Sequence, residues 1–143
     1  MSQENQYCTF VVDSMLFGVE VGRVQEVIRF QEMTRVPTAP QVVSGLINLR
    51  GQIVTALDMR SRLGLPPRDT VTRPMNVVIR TDDTAISLLV DEIGDVVNVD
   101  QTTYERPPET INAAARELIT GVYKLKDRLL MIVDTQRAVE FAA

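Results

Sequence analysis

A chain of 143 residues, 45% apolar and 24% charged, is about one domain long and can bury a real core. Its net charge of −4, with both signs interleaved, lacks the basic face of a duplex nucleic-acid binder, and its one local arginine group (Arg60, Arg62, Arg68) is broken by leucine and proline. Without histidine it lacks the commonest general base and metal ligand, and its single cysteine rules out an internal disulfide or an all-cysteine metal cage.

The polar start MSQENQ is unlike a secretory signal, and no apolar run approaches the ~20 residues that span a bilayer, so a soluble cytoplasmic protein is expected. The segments that follow are short, rich in Val, Ile and Leu, and separated by turn residues, which is the pattern of strands. Strands are predicted at 6–12, 15–20, 24–29, 45–50 and 52–57, then at 75–80, 85–91, 94–99, 120–125 and 129–133. Asp13-Ser14 and Asp82-Asp83 supply the turns after the first strand of each set. Cys8, inside the apolar run Tyr7–Val12, reads as a small buried hydrophobe rather than a reactive thiol. Helices are few. Asp58 can cap one over 59–63 that Gly64 stops, and Asp134 or Thr135 can cap another running to about Phe141. Residues 110–118 could form a turn or two with Ile111, Ala115 and Leu118 on one face.

Two stretches repeat. Gly45–Asp58 aligns on Gly121–Asp134 without a gap. Earlier in each half, Val21, Val24, Glu26 and Val27 align on Val90, Ile93, Asp95 and Val96, again at one constant offset. The fold expected is all-β, with two small barrel-like units sharing one core, since each alone would be marginal. The units are placed at 6–65 and 75–134, with the proline-rich stretch 64–74 as joint and a short helix at 135–141.

No phosphate-cradling glycine motif is present, and without histidine no Ser-His or Cys-His nucleophile pair can form, so the sequence leans against an enzyme. Asn48-Leu49-Arg50-Gly51 sits between two strands, where Gly51 permits a tight hairpin turn and Arg50 reaches the sheet edge. Arg50 there is either a solvated hairpin-tip cation or a guanidinium fork offered to a carboxylate. Strict alternation puts Val24, Glu26 and Ile28 on one face and Gln25 and Val27 on the other. The valines are then core with Glu26 as an edge charge, or they line an apolar groove with one carboxylate at its rim. Asp91, Glu92 and Asp95 lack metal-ligand spacing and read as a solvated edge. Met15, Met33, Met59, Met75 and Met131 are scattered and read as gap-fillers.

These blocks, in this order, resemble the CheW family. The resemblance rests on Phe10-Val11-Val12, Phe17–Val21, Val24–Val27, Pro37 and Pro40, and Gly45–Val54 leading to Leu57-Asp58-Met59-Arg60. It continues through Leu88–Val96 and Ile119–Val122, and spans about residues 6 to 141 as a single domain. The resemblance implies two intertwined five-stranded SH3-like barrels and a non-catalytic adaptor without cofactor or metal. Its implied partners are the tip helices of a chemoreceptor and the regulatory domain of the CheA histidine kinase, with weak self-association in arrays recruited to the membrane. By position it implies receptor coupling for Val24, Glu26, Val27, Gly45, Arg50 and Val96, and a Glu26–Arg50 ion pair, while the kinase-facing residues stay unassigned. Pro66–Asp69 and 106–118 match no motif, and the chain leaves no room for a receiver or kinase module, so a stand-alone adaptor is expected. The alternatives are an adaptor of a pilus-motility or other kinase pathway, an oligonucleotide-binding small barrel, or a carboxylate enzyme.

Overall fold

The computed structural model describes residues 6–69, 73–81 and 84–140. Eleven strands appear among them: β1 (Gln6–Val12), β2 (Met15–Glu20), β3 (Val24–Ile28), β4 (Val43–Leu49), β5 (Gln52–Asp58), β6 (Met75–Arg80), β7 (Ala85–Val90), β8 (Glu92–Asn98), β9 (Tyr104–Glu105), β10 (Ile119–Lys124) and β11 (Leu129–Val133). Three short α-helices, α1 (Met59–Arg62), α2 (Ala113–Leu118) and α3 (Thr135–Ala138), and two 3-10 turns, Val21–Arg23 and Gln101–Thr103, complete the order. All ten predicted strands are present. The predicted Asp82-Asp83 turn lies outside the described residues, as does Phe141.

The helices begin where their caps were expected. The Asp58 carboxylate accepts from Arg60 N at 3.0 Å, and that of Asp134 from Gln136 N at 3.0 Å. α1 ends at Gly64, whose φ of +70° closes the turn that a residue with Cβ would resist. α2 buries Ala115 and Leu118, with Ile111 packed beside them, as its apolar face predicts.

The strands form two sheets, ordered β3-β6-β7-β5-β4 and β8-β1-β2-β11-β10-β9. Their membership corrects the division into 6–65 and 75–134. The N-terminal hairpin β1–β2 pairs with β8 and β11, and the hairpin β6–β7 pairs with β3 and β5. Each half therefore lends its hairpin to the other half's sheet. The second sheet also carries a sixth strand, β9, where five were expected.

The repeat is visible in the hydrogen bonding. Gly45 pairs with Ala56 and Gly121 with Ile132, each beside a register shift, and the two pairs are counterparts in the alignment. Val24 pairs with Ile79 and Phe10 with Ile93, followed by Val27 with Val77 and Cys8 with Val96, again matching the aligned blocks. An approximate two-fold thus relates the sheets, and it organises three apolar clusters. The first barrel is filled by Ile47, Leu49, Val54, Val78 and Ala85. The second is filled by Tyr7, Leu16, Val99, Tyr123, Leu130 and Ile132. Between them lies the largest cluster, built on Phe10, Phe17, Leu57, Ile79, Leu88 and Leu118. Neither barrel is large enough to stand alone on its interior, so this shared layer and the exchanged hairpins hold the pair together. Cys8 packs against the shared layer, and burial pushes its thiol up, as suits a small hydrophobe.

Candidate functional site: an edge strand, a hairpin tip and a charged clasp

β3 and β8 are the counterpart edge strands, and each carries a bulge. Val24 and Val27 face Ile79 and Val77, so three steps along β3 match two along β6. The extra residue overturns the strict alternation read from the sequence. Directly paired residues share a face, so Val24 and Val27 lie on the side of the shared layer, and Glu26 and Ile28 on the side of the barrel interior. On β8 the bulge lies between Ile93 and Val96, and Thr9 Oγ1 donates into it, to Asp95 O at 2.6 Å. Val24 and Ile93 pack on the shared layer, whereas Val27 is 40% and Val96 56% exposed. The shared layer thus emerges into solvent along two edge strands.

Arg50 comes from the tip of the β4–β5 hairpin. Arg50 and Gly51 both have positive φ, +52° and +88°, as a two-residue turn of the favoured hand requires. The Asn48 side-chain oxygen accepts from Gly51 N at 2.9 Å and braces the turn. From there the Arg50 guanidinium donates to the Glu26 carboxylate, across the open side of the first barrel. The Glu26 side chain is 18% exposed and that of Arg50 75%, so the cation faces solvent while the carboxylate sits in the wall. The Arg50 guanidinium first, then the Gln25 amide, hold the Glu26 carboxyl below its ordinary range. The guanidinium is therefore paired with a carboxylate and is not a free tip.

Gly45 is buried and has no side chain to present to a partner. A Cβ there would lie 2.8 Å from Thr34 O. Thr34 exchanges two 2.8 Å backbone bonds with Leu46 and closes the first barrel. Tyr104 closes the second barrel at the counterpart glycine, Gly121, against which its ring rests. The six residues singled out by the resemblance thus divide. Val24, Glu26, Val27 and Arg50 gather around β3, Val96 lies on the counterpart strand, and Gly45 supports the loop that closes the barrel.

Asp91 corrects the solvated-edge reading. It stands at the β7–β8 junction and accepts from Arg60 Nη2 at 2.7 Å, Arg68 Nη2 at 2.8 Å and Asp13 N at 2.7 Å. Arg60 also holds Pro66 O at 3.0 Å, so the joint after α1 is clasped to the β1–β2 turn of the other sheet. Nothing in the broken arginine spacing announced that Arg60 and Arg68 converge. Glu92 and Asp95 are exposed, as read. Among the described residues no group of three His, Cys, Asp or Glu side chains could hold a metal ion, and no helix is long and apolar enough to cross a membrane. Two exposed apolar residues, Ile53 (60%) and Leu129 (41%), carried no signal in the sequence, although they are counterparts in the aligned glycine-led blocks.

A pair of barrels whose apolar layer surfaces at two edges, with an ion pair at a hairpin tip, has the build of a protein that docks other proteins. The chain belongs to the CheW-like domain family, which it matches over residues 6–142. It is 30% identical over 131 residues to the chemotaxis protein CheW of Bacillus subtilis, covering 92% of this chain and 84% of that one. The chemotaxis protein CheW of Thermotoga maritima is 24% identical, covering 96% and 89%. The crystal structure of the scaffolding protein TtCheW from Thermoanaerobacter tengcongensis superposes with a TM-score of 0.84 at 25% identity, covering 96% of this chain and 93% of that one.

Proposed function

We propose that this protein is a chemotaxis adaptor that couples chemoreceptors to the CheA histidine kinase. The observation that carries the reading is the match to CheW proteins along nearly the whole chain, joined to a Glu26–Arg50 pair beside the exposed Val27. In this reading the protein is a non-catalytic cytoplasmic scaffold, recruited to membrane-bound receptor arrays. The tip helices of a receptor hairpin dock along β3, where Val24 and Val27 give apolar contact and Arg50 sits at the rim. The regulatory domain of the kinase binds elsewhere, and copies associate weakly within an array. The chemotaxis names of the relatives favour this pathway over pilus motility.

The test is titration with a receptor-tip hairpin and, separately, with the kinase regulatory domain. Micromolar-range binding of both is expected, as for a transient interface. Arg50→Ala should leave the circular dichroism spectrum unchanged, because the side chain is 75% exposed. In a reconstituted receptor–kinase assay the same variant should lose most kinase coupling. Normal coupling by Arg50→Ala would remove the hairpin tip from the site, and no binding of either partner would sink the reading.

A further inference from the structure

Past Ile28 the chain leaves β3 and runs as a loop to the start of β4. The loop borders a groove of about 690 Å³ whose lining mixes apolar Phe30, Met33, Val36, Pro37 and Pro40 with polar groups, Arg35 and Gln41 among them. Met33 is thus a lining residue as well as a filler of the barrel interior. The groove is held by the contacts that close the barrel. Asn76, buried and paired with Ser87, donates to Arg29 O at 3.0 Å, and Thr34 bonds Leu46. Val43 N donates to Pro40 O at 2.9 Å. The walls are therefore set before any ligand arrives.

Its margin gathers three arginines. Arg35 lines the groove, Arg73 lies over the Phe30 ring at 4.9 Å from its centroid, and Arg29 is exposed just before Phe30. Among the described residues no carboxylate pairs with any of the three, and Glu32 is the one acid in the lining. Several guanidinium groups elsewhere are engaged: Arg50 with Glu26, Arg60 and Arg68 with Asp91, Arg62 and Arg116 with backbone carbonyls. In a chain of net charge −4, three arginines without a paired carboxylate around one groove of mixed lining mark a place that favours negative charge.

We infer that this groove receives an apolar side chain flanked by carboxylates from the same receptor-tip hairpin, as a continuation of the β3 surface. The inference rests on the adaptor reading. Continuity supports it, because Val27, Arg29 and Phe30 follow one another along the chain and lead from the exposed margin into the groove. The guanidinium groups recognise the carboxylates, and Phe30, Val36 and the prolines take the apolar anchor.

The experiment measures binding of a recombinant chemoreceptor tip hairpin to the full chain at about 50 and about 300 mM salt, where screening lengths differ more than twofold. The wild type should bind more weakly at high salt. The triple variant Arg29→Glu, Arg35→Glu, Arg73→Glu should bind about tenfold more weakly at low salt and lose most of the salt dependence. Ala39→Trp, which fills the groove without changing charge, should also weaken binding, and a hairpin with its carboxylates changed to amides should no longer distinguish the triple variant from wild type. All four residues are partly or fully exposed, so thermal melts should match wild type and confirm folding. If the triple variant and Ala39→Trp bind like wild type while Arg50→Ala does not, the groove is empty in the complex; the inference falls and the adaptor reading stands. Competition of single-stranded DNA with the hairpin for these arginines would reassign the groove to nucleic acid and overturn the inference. If the hairpin fails to bind wild type, the adaptor reading falls and takes the groove assignment with it.

Discussion

Asp91→Asn should lower the unfolding free energy by about 2–3 kcal/mol in a urea titration followed by circular dichroism. The carboxylate side chain is 14% exposed and its partners Arg60 and Arg68 are 16% and 11% exposed. Neutralising it leaves two poorly hydrated guanidinium groups with only the more distant carboxylates of Asp13 and Asp58, each 3.8 Å away, and weakens the acceptor for Asp13 N. Linkage gives a similar size. Burial pushes the Asp91 carboxyl up, but hydrogen bonds from Arg60, Asp13 N and Arg68 outweigh it and hold the pKa down, from 3.8 to about 2. A depression of that size corresponds to about 2 kcal/mol. Because the folded-state pKa lies below the unfolded one, this stability is fully present above about pH 4 and is lost as pH falls toward 2. The gap between wild type and Asp91→Asn should therefore be constant from pH 7 to 5 and narrow below pH 4. Glu92→Gln, at the exposed neighbour, should move stability by less than about 0.5 kcal/mol. An equal effect of the two substitutions, or a gap that does not narrow in acid, would show that the clasp contributes nothing.

The clasp matters because the sheets exchange hairpins. Asp91 directly follows β7 of the first sheet and grips the backbone of the β1–β2 turn of the second. Arg60 precedes the joint between the halves and Arg68 lies within it. Their ion pairs fix where the exchanged hairpins sit, and so the spacing of the two edges at which the shared layer emerges.

How far the sequence discloses this can be traced strand by strand. The ten longer strands were legible because Val, Ile and Leu runs are bounded by turn residues, and the caps at Asp58 and Asp134 by their place before short helices. β9 was not, because Tyr104-Glu105 is two residues long and is fixed by non-local contacts: its pairing with Val122 and Tyr123 and the rest of its ring on Gly121. The repeat was legible from aligned residues, but an alignment of halves is equally satisfied when each keeps its own hairpin. Which partner a hairpin pairs with is a non-local choice, made by the shared layer. The bulge in β3 was hidden for a related reason. Period-two reasoning assumes one residue per step, and only the pairing of Val24 and Val27 with Ile79 and Val77 on β6 reveals the extra one. The arginine convergence on Asp91 was invisible because Arg60, Arg68 and Asp91 are brought together by the fold alone.

Gly45→Val carries the other large effect and separates a contact residue from a supporting one. A Cβ at this position would meet Thr34 O at 2.8 Å and Met33 Cβ at 3.0 Å. The first of these is backbone, and it belongs to the residue whose paired bonds to Leu46 close the barrel, so the loop must lift. The expected cost is about 2–3 kcal/mol in urea unfolding, as for overpacking in a tight interior. Lifting Met33 and Thr34 also distorts the groove that follows β3, so hairpin binding should weaken more than Val27→Ala weakens it, although Gly45 reaches no partner. The counterpart Gly121→Ala gives the control. There the obstacle is the ring of Tyr104, 48% exposed, which can swing outward and give up its 2.9 Å bond to Thr120 O and its edge contact with the Tyr123 ring. A cost near ~1 kcal/mol is expected, with hairpin binding unchanged. If Gly45→Val unfolded no more easily than Gly121→Ala yet abolished binding, Gly45 would be a direct contact and the supporting role would be wrong. If both lost stability and binding together, the loop at Thr34 and the strand at Tyr104 would be equivalent closures, and the docking surface would extend over both barrels.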